Sequence, residues 1–162
     1  KKIAYISSPL DTTEIGRNER YEGVKSVLSN TQVFFNSSKQ FELYPIEKRE
    51  YENGYRLTKQ ILSDKYDAYI GNNDMTALGI LACLKDHNIK TSVAGFDNIP
   101  EADFPQIQLT RVDHGACEKG KEAVDILLEQ TKSERKRIVH MEYEPQLIIR
   151  LSTFNRKKSS SQ

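Results

Sequence analysis

The chain has 162 residues, which is enough for one medium α/β domain with a hydrophobic core but short for two complete domains. Its 24 Lys and Arg residues nearly balance its 23 Asp and Glu residues, so its net charge of +1 argues against DNA binding by this stretch alone. No apolar run has the length of a membrane span. Since the chain does not begin with Met, we expect it to be part of a longer protein.

Two cysteines indicate the compartment. Cys83 and Cys117 are far apart and form no CxxC motif, so neither a disulfide nor a metal site is favoured. Each lies in a segment with a helical pattern, and we expect two buried, reduced thiols. That expectation fits a cytosolic protein without a metal or cofactor.

The first part of the chain alternates β-prone runs with helical patterns. Residues 2–6 predict a first strand that ends in a Ser-Ser-Pro loop. The spacing of apolar residues predicts a helix over 18–29, a second strand over 41–44 and a second helix over 53–63. Such alternation is typical of an α/β fold with a parallel sheet flanked by helices on both faces, a three-layer sandwich.

The pattern continues through the middle of the chain. Residues 68–70 predict a third strand, and residues 75–86 carry an apolar stripe that predicts a helix. A short β-run over 91–96 follows, then a loop over 98–106 with two prolines, then an extended run over 107–112.

The last part of the chain holds a long amphipathic pattern. Residues 114–130 predict a helix with one apolar and one charged face. Residues 138–141 and 146–151 are β-like, and we expect a disordered tail over 152–162.

Polar side chains follow the third predicted strand directly. Gly71 permits a sharp turn, and Asn72, Asn73 and Asp74 all suit the N-cap of the helix that follows. Ligands of open α/β sheets bind outside the carboxyl ends of the strands, so these side chains also lie at a candidate binding edge. Spacing alone favours the capping role.

A cation lies in an unfavourable place in the first predicted helix. Arg20 is near its first turn, where a positive charge opposes the helix dipole. Either an acceptor-rich ligand lies nearby or Arg20 is a solvated surface residue.

Several segments, in a fixed order, resemble the effector-binding domain of the lactose-repressor/galactose-repressor (LacI/GalR) family of bacterial transcription regulators. They are Lys2-Ile-Ala-Tyr-Ile-Ser-Ser-Pro-Leu10, Glu19-Arg-Tyr-Glu-Gly23, Gly71-Asn-Asn-Asp-Met-Thr-Ala-Leu-Gly79, Ser92-Val-Ala-Gly-Phe-Asp-Asn98, Leu109-Thr110 and residues 145–150. The resemblance covers nearly the whole chain. It implies a type I periplasmic-binding-protein fold, in which two α/β lobes close on a small molecule.

The resemblance also implies which part of that domain is present. Residues 1–151 correspond to the C-terminal lobe together with a crossover helix, 114–130, that would normally join the N-terminal lobe. The DNA-binding head and most of the N-terminal lobe are absent from this chain. Without its usual sheet, the apolar face of helix 114–130 is expected to pack abnormally or to drive self-association.

The resemblance assigns roles to single residues. Arg20, Asn73 and Asp97 match the ligand-contacting arginine, asparagine and aspartate of the family, which leaves capping and fixing of the loop to Asn72 and Asp74. Asp97 also has a simple turn role as an alternative, since Asp-Asn pairs favour turns.

Two further positions depart from the family pattern. His114 takes the place of a polar residue, often Gln, at the crossing between lobes, although an N-cap or an exposed His explains it equally well. Where many members carry an aromatic residue that stacks on the ligand, this chain has Arg49, and Tyr51 two positions later is the candidate aromatic.

We therefore expect a cytosolic effector-sensing module that binds a sugar or nucleoside-like molecule and controls operator DNA through a head absent from this chain. The resemblance implies a homodimer, with no membrane association, cofactor or metal. An extracytoplasmic sugar-binding protein of a transporter or sensor is the alternative. An enzyme is not expected: Ser7, Ser8, His87 and His114 occur without a GxSxG or HExxH motif.

Overall fold

A computed structural model describes residues 2–10, 15–27, 48–132 and 137–154, and the backbone of 31–35. Its helices are α1 (Ile15–Val27), α2 (Arg49–Ile61), α3 (Asp74–Asp86) and α4 (Ala116–Lys132). Its strands are β1 (Ile3–Ser7), β2 (Thr31–Phe35), β3 (Ala68–Gly71), β4 (Ser92–Phe96), β5 (Thr110–Asp113) and β6 (Gln146–Ile148). Within the described ranges, 3-10 turns lie at Leu62–Asp64 and Pro100–Asp103.

The strands form one sheet in the order β2-β1-β3-β4-β5-β6. The pairs from β2 to β5 are parallel, and β6 runs antiparallel to β5 at the edge. The chain moves from β1 to β2 on one side and then returns past β1 to β3 on the other. This reversal is a topological switch point, and it lies between β1 and β3. The predicted α/β fold with a mainly parallel sheet is confirmed.

The core lies against the central strands. Ala4, Tyr5 and Ile6 are consecutive and fully buried, as expected for a parallel strand covered on both faces. The apolar cluster around them draws on β1, β3, β4, α2 and α3: Ala4, Ile6, Leu57, Ile61, Tyr66, Tyr69, Ala77, Ile80, Leu84, Val93, Ala102 and Leu109. Helices α2 and α3 pack closely because Gly79 has no side chain at their contact. A Cβ on Gly79 would lie 2.1 Å from the Tyr51 carbonyl oxygen.

The second strand differs from the prediction. The structure places β2 at Thr31–Phe35, where no element was predicted. The strand predicted over 41–44 lies outside the described residues. The predicted loop over 98–106 contains the 3-10 turn at Pro100–Asp103, which has a proline in its first turn.

Helix α4 stands apart from the sheet. None of its side chains is buried, and its apolar residues Val124, Leu127 and Leu128 are exposed. Cys117 on this helix is also exposed, so the prediction of two buried thiols is right for Cys83 and wrong for Cys117. The reason is that α4 packs against no apolar layer within the described part of the chain.

The chain after α4 also departs from the predictions. Residues 138–141 form no strand, and Ile138 is fully exposed, since no described strand lies beside them. The prediction of a disordered tail over 152–162 is wrong at its first residues, because the described chain continues to Phe154. Ser152 is buried, accepts a hydrogen bond from Val93 N through its carbonyl, and donates its hydroxyl to Val93 O at 2.7 Å. Residues 155–162 lie outside the described chain.

Candidate functional site

Polar residues collect at the carboxyl edge of the sheet. Ser8 follows β1, Asn72 follows β3, Asp97 follows β4 and His114 follows β5. Parallel strands end on the same side, so the fold brings these four loops together beside the switch point. Within the described residues, no group of His, Cys, Asp and Glu has the arrangement of a metal site.

Three of the predicted site residues are in direct contact. Arg20 Nη2 lies 2.9 Å from Asp97 Oδ1, and His114 Nε2 lies 3.4 Å from the same oxygen. Arg20 Nη1 also donates to the Asn72 carbonyl at 3.0 Å, and its guanidinium lies 5.6 Å from the centre of the Phe96 ring. The three side chains are 28%, 30% and 38% exposed, so they are held in place and still reachable.

The electrostatics of Asp97 reflect this position. Burial raises the pKa of its carboxyl above the ordinary value, while Arg20 and His114 act to lower it. The backbone is also strained there: Asp97 has φ 110° and Asn98 has φ 69°. Strain of this kind costs about 1–3 kcal/mol per residue and collects at ligand sites, which favours a ligand role over a simple turn for Asp97.

Asn73 takes the capping role. Its Oδ1 accepts the Thr76 amide at 2.8 Å, and its extended backbone makes it the N-cap of α3. The assignment of capping to Asn72 and Asp74 is wrong, because both point inward. The half-buried Asn73 side chain still has its amide nitrogen as a donor at the binding edge.

A buried polar floor lies beneath the edge. The Tyr5 hydroxyl donates to Asn72 Oδ1 at 3.1 Å, and Asn53 Nδ2 donates to the Ser7 carbonyl at 3.0 Å. Burial raises the pKa of Tyr5 to about 12, so the hydroxyl stays protonated and remains a donor. The first bond joins β1 to the residue after β3, and the second joins α2 to the end of β1.

Tyr51 lies elsewhere. It is half-buried on the first turn of α2 and lines a separate cavity of about 720 Å³ between α3 and the segments 105–108 and 151–154. The structure therefore does not bring Tyr51 together with Arg20, Asp97 and His114. Arg49 is half-buried at the start of the same helix.

Glu50 joins several elements at the edge and was not predicted. Its carboxylate accepts hydrogen bonds from the Ser8 and Thr76 hydroxyls, the latter at 3.0 Å, and forms an ion pair with Arg17 at 3.4 Å. Arg17 also donates to the Pro9 carbonyl at 2.9 Å. The available signal was an acid in the first turn of a helix that starts near this edge.

Asp74, which the sequence places at the candidate binding edge, points into the protein and not toward the cleft. It is fully buried, its Oδ2 accepts the Ile99 amide at 3.0 Å, and Arg111 Nε lies 3.9 Å from that oxygen. Burial raises the pKa of its carboxyl from 3.8 to about 6, although the Ile99 amide and Arg111 act in the opposite direction.

The chain matches known proteins over most of its length. Residues 1–153 match the family of periplasmic binding protein-like domains. The chain is 29% identical over 158 residues to the HTH-type transcriptional repressor PurR of Mannheimia succiniciproducens, covering 94% of this chain and 46% of that protein. It thus spans about half the length of the curated relatives that it matches.

Solved structures show the same fold. A LacI family transcriptional regulator from Enterococcus faecalis, crystallised with bound ribose, has a TM-score of 0.76 at 21% identity and covers 94% of this chain and 54% of that chain. A LacI-type transcription regulator from Bifidobacterium animalis subsp. lactis has a TM-score of 0.58 at 31% identity, covering 65% of this chain and 40% of that chain.

Proposed function

Because the chain belongs to the periplasmic binding protein-like family, as part of an effector-binding domain of the LacI/GalR type, we propose that it is the C-terminal lobe of a sensor domain. In this proposal the lobe binds a small effector and thereby controls DNA binding by a bacterial transcription regulator. The protein acts in the cytosol, and no bond is made or broken in the effector.

The contact of Arg20, Asp97 and His114 at the strand edge carries the proposal. A carboxylate accepts hydrogen bonds from sugar hydroxyls, while a guanidinium and an amide donate to them, and hydrogen bonds with a charged partner contribute about 1.5–3 kcal/mol each. Asp97 is reachable, already oriented and paired with two donors. This arrangement suits a polyhydroxylated molecule, a sugar or a nucleoside-like compound.

The exposed parts of the lobe support the proposed architecture. Leu127 and Leu128 of α4 and Ile138 after it present apolar side chains to solvent. In the full-length protein we place α4 and the segment after it in the N-terminal lobe, which would cover these residues and form the other wall of the cleft. Effector binding then shifts the balance between open and closed lobes, and a homodimer with a DNA-binding head reads that balance.

Calorimetry on the full-length protein with ribose, other pentoses, hexoses and purine nucleosides tests the proposal. We expect Asp97→Ala to weaken binding of the compound that binds by about 10- to 100-fold, as expected for losing a charged hydrogen bond. Asp64→Ala is the matched control, because Asp64 is an exposed carboxylate in the 3-10 turn before β3. Its binding should be unchanged.

Asn73 needs a variant that separates capping from ligand binding. Asp is as good an N-cap as Asn, so Asn73→Asp keeps the bond to the Thr76 amide but removes the side-chain donor. We expect this variant to fold as stably as the wild type and to bind less tightly. Wild-type affinity in both Asp97→Ala and Asn73→Asp would refute the proposed site.

A further inference from the structure

We propose that Asp74 is a positioning residue for the effector site: its buried carboxylate holds the loop that carries Asp97 through the backbone amide of Ile99. The role of Asp97 in effector binding is taken from the proposed function. The geometric part, that Asp74 fixes the position of Asp97, rests on the contacts of the lobe alone.

The location of Asp74 frees its carboxylate for this task. Asp74 is the first residue of α3, but Asn73 already caps that helix, so the Asp74 side chain makes no capping bond. It turns inward instead and lies completely buried, with Oδ2 3.0 Å from Ile99 N. Burying a carboxylate is costly without partners, and here the loop amide and the Arg111 guanidinium provide them.

The loop needs such a partner because its backbone is strained. Asp97 and Asn98 have consecutive positive φ angles, and Ile99 then returns to an extended conformation with φ −75° and ψ 148°. A hydrogen bond fixes the backbone on each side of the strained pair: Asp97 N donates to Val112 O at 3.1 Å, and Ile99 N donates to Asp74. These two bonds set the direction in which the Asp97 carboxylate points.

Arg111 extends the support to the far end of the loop. It is fully buried and pairs through Nη2 with Asp103, the last residue of the 3-10 turn that follows Ile99. Arg111 therefore lies between the carboxylates of Asp74 and Asp103. The guanidinium therefore bonds the last residue of the turn directly and lies 3.9 Å from the carboxylate that holds the start of the turn.

Gly95 leaves the space that Asp74 occupies. A Cβ at this position would lie 2.5 Å from Asp74 Oδ1 and 3.1 Å from the Ala77 Cβ. Among the described residues, Oδ1 has no hydrogen-bond partner and faces the bare backbone of β4. Oδ2 is consequently the oxygen that connects α3 to the Asp97 loop.

Two substitutions of Asp74 in the full-length protein separate positioning from general stability. Asp74→Asn retains a carbonyl oxygen for the Ile99 amide, whereas Asp74→Ala removes the acceptor. Thr58→Val is the control, because it deletes a buried hydroxyl whose hydrogen bond, among the described residues, stays within its own helix at the Gly54 carbonyl. If the Ala variant does not fold, Asp74→Ser provides a shorter side chain without the carboxylate.

Two readouts need no effector. In crystals of the Ala variant we expect the Arg20 to Asp97 separation to increase beyond the 2.9 Å of the wild type, and in solution the Ile99 amide should exchange about tenfold faster or more. Asp74→Asn and Thr58→Val should keep both features. An unchanged Arg20–Asp97 pair together with unchanged Ile99 exchange in the Ala or Ser variant would overturn the proposal.

Binding of ribose and purine nucleosides supplies the third readout. We expect the Ala variant to lose about tenfold or more in affinity and the Asn variant to remain within about threefold of the wild type. Equal losses in the Asn and Ala variants would also overturn the proposal, since acceptor geometry would then not matter. If none of these compounds binds the wild type, the proposed ligand class fails, while the crystallographic and exchange results still decide the role of Asp74.

Discussion

The buried carboxylate of Asp74 makes the stability of the lobe depend on pH. In the unfolded chain the pKa of this carboxyl is near 3.8, and burial in the folded lobe raises the pKa to about 6. Between these values the folded state binds more protons than the unfolded state, so the free energy of unfolding falls as pH rises. A pKa difference of one unit corresponds to about 1.4 kcal/mol, so the full loss is about 3 kcal/mol, of which roughly 2.5 kcal/mol occurs between pH 4 and pH 7.

Urea unfolding followed by circular dichroism measures this loss. Asp74→Asn lacks the titration and retains the neighbouring groups, including Arg111 and Asp97, that face the site. The difference in unfolding free energy, wild type minus Asp74→Asn, should therefore fall by roughly 2.5 kcal/mol from pH 4 to pH 7. Asp97 also has a raised pKa, but it is present in both proteins, so only its electrostatic coupling to Asp74 enters the difference. Parallel pH profiles for the two proteins would refute the reasoning.

Three further predictions concern the sheet and α4. Gly95→Ala should destabilise the lobe by about 1–3 kcal/mol in urea unfolding, because its Cβ would overlap the buried carboxylate of Asp74. Gly23→Ala is the control, because a Cβ at this position in α1 meets no atom within 4 Å. It should be neutral or stabilise the lobe by up to about 1 kcal/mol. Tyr5→Phe removes the hydroxyl that donates to Asn72 Oδ1 and should lower the stability of the lobe by about 1–3 kcal/mol in thermal unfolding. An unchanged unfolding midpoint would show that this buried hydrogen bond does not stabilise the lobe. The isolated chain should self-associate through α4, and light scattering should show a monomer after Leu127→Lys and Leu128→Lys; a monomeric wild type at high concentration would contradict the prediction.

Strands that the core buries on both faces were predictable from sequence. Residues 68–70 and 91–96 are short apolar runs bounded by glycine and polar residues, and both are strands in the structure. The second strand was not found, because Thr31–Phe35 and residues 41–44 are similar short apolar runs. Periodicity does not identify which of two such runs pairs with β1, since pairing depends on residues distant in sequence.

The site was predictable where it depends on loops at strand ends. Arg20 and Asp97 were expected at strand ends, and they meet there. His114, expected at the crossing between lobes, also contacts Asp97. The inward direction of Asp74 was not predictable, because an Asp at the start of a helix is an ordinary capping residue. Its burial follows from the approach of Ile99, which lies 25 residues later.

Helix α4 is exposed for a related reason. Its sequence has a clear apolar face, which in a self-contained domain predicts burial of Cys117 and its neighbours. The sequence pattern shows that the apolar face of α4 requires a packing partner, but it does not show which part of the protein supplies that partner.

The pairing of β5 with β6 has a mechanical consequence. The chain leaves the sheet for α4 at Asp113 and returns at Gln146, and these two residues are partners in the antiparallel pair. Asp113 also accepts a hydrogen bond from Asn98 Nδ2, so this two-stranded ribbon is tied sideways to the strained loop. A displacement of α4 would therefore act on both strands of the ribbon at once and, through Asn98, on the loop that carries Asp97. The loop that carries Asp97 is therefore linked directly to the strands through which the chain enters and leaves α4.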